Sequence, residues 1–84
     1  MKSITVYTTD YCGYCTAAKA LLKSKGIPFQ EIDVTKDPAL RQEVMQRSGR
    51  RTVPQIFIGD ESIGGFTELR ALDSSGELDQ KMAD

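Results

Sequence analysis

The chain has 84 residues, of which 39% are hydrophobic and 27% are charged, and its formal net charge is −1. This length predicts one globular domain over residues 1–84, in which folding buries a little over ~60% of the unfolded surface. The low net charge argues against nucleic acid or an anionic membrane as a partner, and no apolar run approaches the ~18 residues of a membrane span. The first apolar run is short and contains threonine, unlike a signal peptide, so we expect a cytoplasmic protein and a monomer.

The first half of the chain predicts a strand, a helix and a second strand. Apolar and polar residues alternate over residues 3–8, which is typical of a strand, and a helical apolar stripe follows over residues 13–25. Gly26 and Pro28 end this helix, and residues 29–34 form the second strand. Two parallel strands joined by a helix make a right-handed βαβ unit. The stripe of the helix consists of Ala17, Ala18, Leu21 and Leu22.

The second half predicts a helix, a hairpin and a third helix. Asp37-Pro38 begins the second helix, because a carboxylate cap is followed by proline at the first helical position, and Ser48-Gly49 ends it. Strands over residues 55–58 and 62–64 are separated by a tight turn, so they must be antiparallel. A helix over residues 66–72 follows, and Leu78 is expected to pack a last helical turn. The core face of the second helix is assigned to Leu40, Val44 and Met45.

Both cysteines lie in the segment Cys12-Gly13-Tyr14-Cys15, where the first strand ends and the first helix begins. In a βαβ context this spacing predicts a thioredoxin-like redox motif. The unpaired N–H groups of a helix N-terminus carry a partial positive charge, so those of Tyr14 and Cys15 are expected to stabilise a thiolate at Cys12. Cys15 lies one turn further on the same helix face. Cys12 can therefore attack a disulfide, and Cys15 can displace what Cys12 has captured.

The cysteine pair is also compatible with a zinc site or with a structural disulfide. A zinc site needs four ligands, and a chain with two cysteines and no histidine could supply them only as a dimer. A structural disulfide would close so short a loop that it would remove little chain entropy. In a reducing cytosol a cysteine pair is more often catalytic than structural, so redox chemistry is preferred.

Together with Thr52-Val53-Pro54 and Gly64-Gly65, the cysteine segment makes the chain resemble a glutaredoxin from the first strand to Leu72. The resemblance implies a thioredoxin fold of the α/β class, βαβ followed by ββα, whose four-stranded mixed sheet has the order 2-1-3-4 and is flanked by helices. It implies a glutathione-dependent thiol–disulfide oxidoreductase that reduces protein–glutathione mixed disulfides and protein disulfides. Its partners would be glutathione and glutathionylated or disulfide-containing proteins, with glutathione as a co-substrate and no tightly bound cofactor.

The resemblance also implies a glutathione site. Val53, held extended before a cis Pro54, would pair with the backbone of glutathione, and the N–H groups of Phe66 and Thr67 would bind the γ-glutamyl carboxylate. Arg47 or Arg51 would bind the glycyl carboxylate, and the sequence does not rank these two candidates. The implied glutathione-binding set is Tyr14, Arg47, Arg51, Thr52, Val53, Pro54, Gly65, Phe66 and Thr67.

Several of these positions are also compatible with a purely structural role. Pro54 could simply begin a strand, Gly64-Gly65 could form a turn that needs a positive φ, and Tyr14 could be half-exposed packing, as could Tyr11. Thr9 stands where many glutaredoxins have lysine, so one cation near the thiolate and the ligand is missing.

Two functional alternatives stay open. A redoxin reduced by a flavoenzyme without glutathione would carry a tryptophan-containing segment in place of residues 63–67, and this chain has no tryptophan. The other alternative is a [2Fe–2S] cluster carrier. Gly13 stands where many dithiol relatives have proline, and in such a carrier each protomer of a dimer gives one cysteine and one glutathione, four thiolates in all. Cys12 would be the cluster ligand here; otherwise no metal site is expected.

Overall fold

The computed structural model describes residues 2–10 and 12–83, and its elements follow the predicted order. The elements are β1 (Ile4–Thr8), α1 (Gly13–Ser24), β2 (Gln30–Asp33), α2 (Pro38–Ser48), β3 (Gln55–Ile58), β4 (Glu61–Gly64), α3 (Phe66–Ser75) and α4 (Glu77–Ala83). No helix in these ranges is long and apolar enough to cross a membrane.

The four strands form one mixed sheet in the order β2-β1-β3-β4, as predicted. β1 pairs in parallel with β2 and antiparallel with β3, and β3 pairs antiparallel with β4. All four residues of β3 are buried, as expected for a strand with neighbours on both sides. Because β3 runs antiparallel to β1, the segment that leads into β3 lies beside the end of β1 that leads to the cysteines.

The core lies on both faces of the sheet, because successive side chains of a strand point to opposite faces. Ile56 and Ile58 pack on one face with residues of α1, α3 and α4, such as Leu22, Leu69 and Leu78. The other face is a smaller cluster that α2 covers. Its buried residues are Tyr7, Val34, Val44 and Phe57.

Local signals determine how α2 begins and ends. The Asp37 carboxylate accepts a hydrogen bond from the Leu40 N–H at 3.1 Å, and Pro38 is the first helical residue. Gly49 ends the helix in the left-handed conformation, with φ 73°. Both predicted ends of α2 are confirmed, because each depends on residues close in sequence.

The structure corrects some details of the predicted elements. Met45, assigned to the core face of α2, lies half-buried in a surface groove, whereas Val44 is buried against the sheet. α3 continues beyond the predicted residue 72 to Ser75, where Gly76 ends it with φ 82°. The last helical turn predicted around Leu78 is the seven-residue helix α4, in which Leu78 is fully buried.

Candidate active site

Cys12 is the N-cap residue of α1, and its sulfur lies among backbone groups. Its Sγ accepts a hydrogen bond from the Cys15 N–H at 3.1 Å, and its thiol donates to the Val53 carbonyl oxygen at 3.6 Å. The hydrogen bond predicted from the Cys15 N–H to the Cys12 sulfur is thus confirmed. The Tyr14 N–H, also predicted as a donor, makes no hydrogen bond to this sulfur among the described residues, because the sulfur of the N-cap residue is directed at the third N–H of the helix.

Cys15 is the buried member of the pair, with 2% of its surface exposed. Burial raises the pKa of the Cys15 thiol from 9.0 to about 12, and its hydrogen bond with Cys12 contributes in the same direction. A backbone hydrogen bond at Thr9 and the positive charge of Lys19 act in the opposite direction and lower the pKa of Cys15. The two cysteines are therefore unequal, and the half-buried Cys12 is the one that a disulfide can reach.

Val53, whose carbonyl oxygen Cys12 contacts, lines a cavity of about 340 Å³, and Cys12 itself does not line this cavity. The Val53–Pro54 peptide bond is cis, as the resemblance implies. Tyr14 is 67% exposed and stacks on Phe66, with ring centroids 6.3 Å apart, so the two rings form an apolar wall. The structure brings seven predicted residues together around this cavity: Tyr14, Thr52, Val53, Pro54, Gly65, Phe66 and Thr67.

The two glycines before α3, Gly64 and Gly65, are needed for different structural reasons. Gly64 has φ 113°, and a Cβ there would lie 2.7 Å from Glu68 Oε1, so Gly64 has the structural role of a turn residue. Gly65 has an extended backbone, and a Cβ would lie 3.3 Å from the Pro54 carbonyl oxygen. Gly65 therefore allows the start of α3 to approach the Pro54 carbonyl closely, and both residues line the cavity.

Arg50 and Glu68 also line the cavity, and neither was predicted. Glu68 Oε1 accepts hydrogen bonds from the Gly65 N–H at 2.7 Å and from Arg50 Nη1 at 2.8 Å. A glutamate three residues after a helix N-cap is a known capping signal, so the sequence could have indicated Glu68. Nothing local indicates Arg50, because its partner is 18 residues away.

The two predicted arginines lie outside the cavity. The Arg47 guanidinium lies 4.5 Å from the ring centroid of Phe57, over the sheet face that α2 covers. Arg51 lines the surface groove along α2. Their role in binding the glycyl carboxylate stays a prediction, and Tyr11 lies outside the described residues.

A second, polar cavity of about 360 Å³ is lined by both cysteines, Thr9 and Lys19. Lys19 Nζ is 2.9 Å from a carboxylate oxygen of Glu31, which also lines this cavity. Thr9, which stands where many glutaredoxins have lysine, therefore lines the same cavity as both sulfurs but does not line the 340 Å³ cavity.

Within residues 2–10 and 12–83, no group of three or more histidine, cysteine, aspartate or glutamate side chains could hold a metal ion. An iron–sulfur cluster would need thiolates from outside the chain, beyond the one that Cys12 offers. The cluster alternative therefore stays a prediction.

Comparison with known proteins assigns this arrangement to a family. A sequence model of glutaredoxins matches residues 4–63. The chain belongs to the glutaredoxin family. It is 52% identical over 79 residues to glutaredoxin 3 of Escherichia coli (strain K12), covering 94% of this chain and 95% of the relative. It is 47% identical over 79 residues to a glutaredoxin of Pseudomonas aeruginosa, covering 94% of each chain.

Solved glutaredoxin structures confirm the thioredoxin fold. The buckwheat glutaredoxin–glutathione complex matches with a TM-score of 0.90 at 30% identity, covering 98% of this chain and 77% of that one. The solution structure of the Brucella melitensis glutaredoxin matches with a TM-score of 0.85 at 50% identity, covering 95% and 87%. Family and fold together show that this glutaredoxin is a thiol–disulfide oxidoreductase.

Proposed function

We propose that this glutaredoxin uses glutathione to reduce protein–glutathione mixed disulfides and protein disulfides. The observation that carries the proposal is the position of Cys12, whose sulfur contacts the carbonyl oxygen of Val53, a residue that lines the 340 Å³ cavity. That volume falls within the ~300–1,000 Å³ of small-molecule sites. The glutathione complex of the structurally similar buckwheat protein supports the same choice of ligand.

The cavity offers a tripeptide the contacts that its groups need. Val53, in the extended segment before Pro54, offers its backbone to the cysteinyl part of glutathione. The N-terminus of α3, which begins at Phe66, favours a carboxylate. Arg50, which is paired with Glu68 in the same wall, adds a cation there. Bound in this way, glutathione holds its sulfur beside Cys12.

The reaction consists of thiolate attacks on disulfide sulfurs. The Cys12 thiolate attacks the glutathione sulfur of a mixed disulfide, so a bond from Cys12 to glutathione forms while the bond to the target breaks, and the target leaves as a thiol after protonation. A second glutathione thiolate then attacks the sulfur of the bound glutathione. Oxidised glutathione leaves, and the Cys12 thiolate is restored. Overall, one mixed disulfide and one glutathione give one free thiol and one oxidised glutathione.

For a protein disulfide, Cys15 provides a second route. After Cys12 has formed a mixed disulfide with the target, Cys15 attacks Cys12 Sγ and releases the target, and glutathione then reduces the Cys12–Cys15 disulfide. The raised pKa of the buried Cys15 thiol slows this step, because the thiol must lose its proton first. We therefore propose that the route through Cys12 alone dominates with glutathionylated proteins, in a cytoplasm that keeps glutathione reduced and with the protein as a monomer.

A coupled assay tests the proposal. The protein is supplied with a glutathionylated protein, glutathione, glutathione reductase and NADPH, and NADPH consumption is followed. We expect turnover that Cys12→Ser abolishes and that Cys15→Ser retains, while Cys15→Ser loses most reduction of protein disulfides. A parallel reaction replaces glutathione and its reductase by a flavoenzyme that reduces redoxins directly. Turnover only in that reaction would refute glutathione dependence and favour the flavoenzyme alternative.

A further inference from the structure

The polar cavity of about 360 Å³ gives the buried Cys15 a cationic neighbour, the ammonium group of Lys19. Both residues line this cavity. They lie four positions apart on α1, so they share one helix face, with Cβ atoms about 5–6 Å apart. Although only 2% of the Cys15 surface is exposed, its place in the cavity lining puts this residue beside polar groups and not only beside the core.

Two strands hold Lys19 at the cavity. Lys19 Nζ donates a hydrogen bond to Glu31 Oε2 on β2 at 2.9 Å, and the same oxygen accepts one from Thr8 Oγ1 on β1, also at 2.9 Å. Thr8 is 1% exposed, so this chain of hydrogen bonds is anchored inside the sheet. The Lys19 side chain is itself only 28% exposed, and at such a position a charge acts more strongly on its neighbours than in bulk water.

The other charged groups of the cavity are carboxylates, and two of them are already engaged. The bond from Lys19, with that from Thr8, lowers the pKa of Glu31, and hydrogen bonds from Thr35 lower the pKa of Asp33. Both carboxylates therefore stay ionised at neutral pH and are poor proton acceptors. Besides Lys19, the titratable groups in the lining are Asp10, Cys12, Cys15, Glu31 and Asp33.

The balance of charge around Cys15 changes when Cys12 captures a target. In the free protein burial raises the pKa of Cys15 most, and Cys12 adds to this through its hydrogen bond and its negative charge. A Cys12 sulfur in a disulfide carries no charge and is a poorer acceptor, so both contributions fall. The backbone hydrogen bond at Thr9 and the charge of Lys19, which lower the pKa of Cys15, are retained. Lys19 thus has its largest relative effect at the step in which Cys15 must ionise.

We propose that Lys19, held by Glu31 and Thr8, promotes the attack of Cys15 on Cys12 by stabilising the Cys15 thiolate. The inference rests on the second route of the proposed function and assigns to it a residue that the route through Cys12 alone does not need. The Cys15 thiol gives its proton to solvent, and the thiolate forms a bond to Cys12 Sγ. The bond from Cys12 to the target breaks, and the target leaves with the electron pair as a thiolate.

The test uses reduced protein in excess over an aromatic disulfide, dithiobis(nitrobenzoate), whose thiolate product is coloured. Cys12 attacks this disulfide and releases one coloured thiolate, in a phase whose rate rises with protein concentration. Cys15 then attacks Cys12 Sγ and releases the second, in a phase that does not depend on protein concentration. Stopped-flow measurement from about pH 6 to pH 8, below the pKa of the buried thiol, separates the two phases.

Lys19→Met should slow the second phase at least about three-fold at every pH in this range, because a loss of about ten-fold in thiolate is partly offset by greater nucleophilicity. Lys19→Arg retains the charge and should restore the rate. The first phase should change less than the second, since it does not require the Cys15 thiolate. Loosened packing does not explain a slower second phase, because exposing Cys15 to water would favour its ionisation and speed this phase.

Lys23→Met is the matched control, because Lys23 is exposed on the same helix and does not line the cavity. It should leave both phases unchanged. The inference is overturned if Lys19→Met leaves the second phase unchanged or slows both phases by the same factor, or if Lys23→Met slows the second phase as much.

The coupled assay connects this step to the proposed function. Lys19→Met should lose a larger factor in the reduction of a protein disulfide than in the reduction of a glutathionylated protein, and equal losses would overturn the inference. If the aromatic disulfide gives both phases with the expected dependence on Lys19 while the coupled assay shows no turnover, the use of glutathione is refuted and the inference holds. If the unmodified protein gives only the first phase, the route through Cys15 and the inference fail together.

Discussion

The buried thiol of Cys15 should make the protein lose stability at alkaline pH. Its pKa is raised to about 12 in the folded protein, mainly by burial, from 9.0 for an accessible thiol. A group whose pKa is raised on folding stabilises the protein below its unfolded pKa, and this stabilisation is lost as pH rises towards the folded pKa. The folded state must hold the proton that the unfolded state releases above about pH 9.

The magnitude follows from linkage between ionisation and unfolding. At pH 10 the unfolded thiol is about 90% ionised while the folded thiol is still protonated, which lowers the free energy of unfolding by about 1.4 kcal/mol relative to pH 7. This value hardly changes as long as the folded pKa stays above ~11, because it depends on ionisation of the unfolded chain. With a urea m-value of about 1 kcal/mol/M for a chain this short, the midpoint should fall by about 1–1.5 M.

The assay compares two proteins in which Cys12 cannot titrate or form a disulfide. Cys12→Ser retains the buried thiol, and Cys12→Ser with Cys15→Ala removes it, so titration of all other groups cancels in the difference. We expect the gap in the free energy of unfolding between the two to shrink by about 1.4 kcal/mol from pH 7 to pH 10. A gap that stays constant over this range would show that Cys15 is not held as a buried neutral thiol and would refute the reasoning.

Four further predictions follow from the same structure. Iodoacetamide should label Cys12 before Cys15, because only Cys12 is accessible, and mass mapping that finds Cys15 modified first would contradict this. Thr9→Lys should make the thiolate absorbance appear at lower pH, because position 9 lines the polar cavity with both sulfurs; an unchanged titration would show that it does not reach them. Asp37→Ala should lower the free energy of unfolding by about 0.5–2 kcal/mol through loss of the cap on Leu40, whereas Asp37→Asn, which keeps an acceptor, should lose much less. The cluster alternative predicts that anaerobic reconstitution with iron, sulfide and glutathione gives a brown dimer, which Cys12→Ser prevents; a colourless monomer would exclude it.

The sequence by itself determined the features that depend on neighbouring residues. Asp37, Pro38 and Gly49 begin and end α2 through contacts within one turn, so its ends are predicted correctly. The spacing of Cys12 and Cys15 at the start of a helix places one sulfur at the N-cap and the other one turn inside. These arrangements need no information from elsewhere in the chain.

The tertiary structure decided how each helix face is oriented and which distant residues meet. Met45 faces a surface groove along α2 because Val44 packs against the sheet, and the apolar pattern of α2 alone does not decide between the two. Arg50 lines the cavity while the adjacent Arg51 does not, because Arg50 pairs with Glu68 across 18 residues of chain. Burial of Cys15, which raises its pKa, likewise comes from packing around α1. Such properties depend on side chains that meet only when separate elements pack, so neighbouring residues in the sequence do not reveal them.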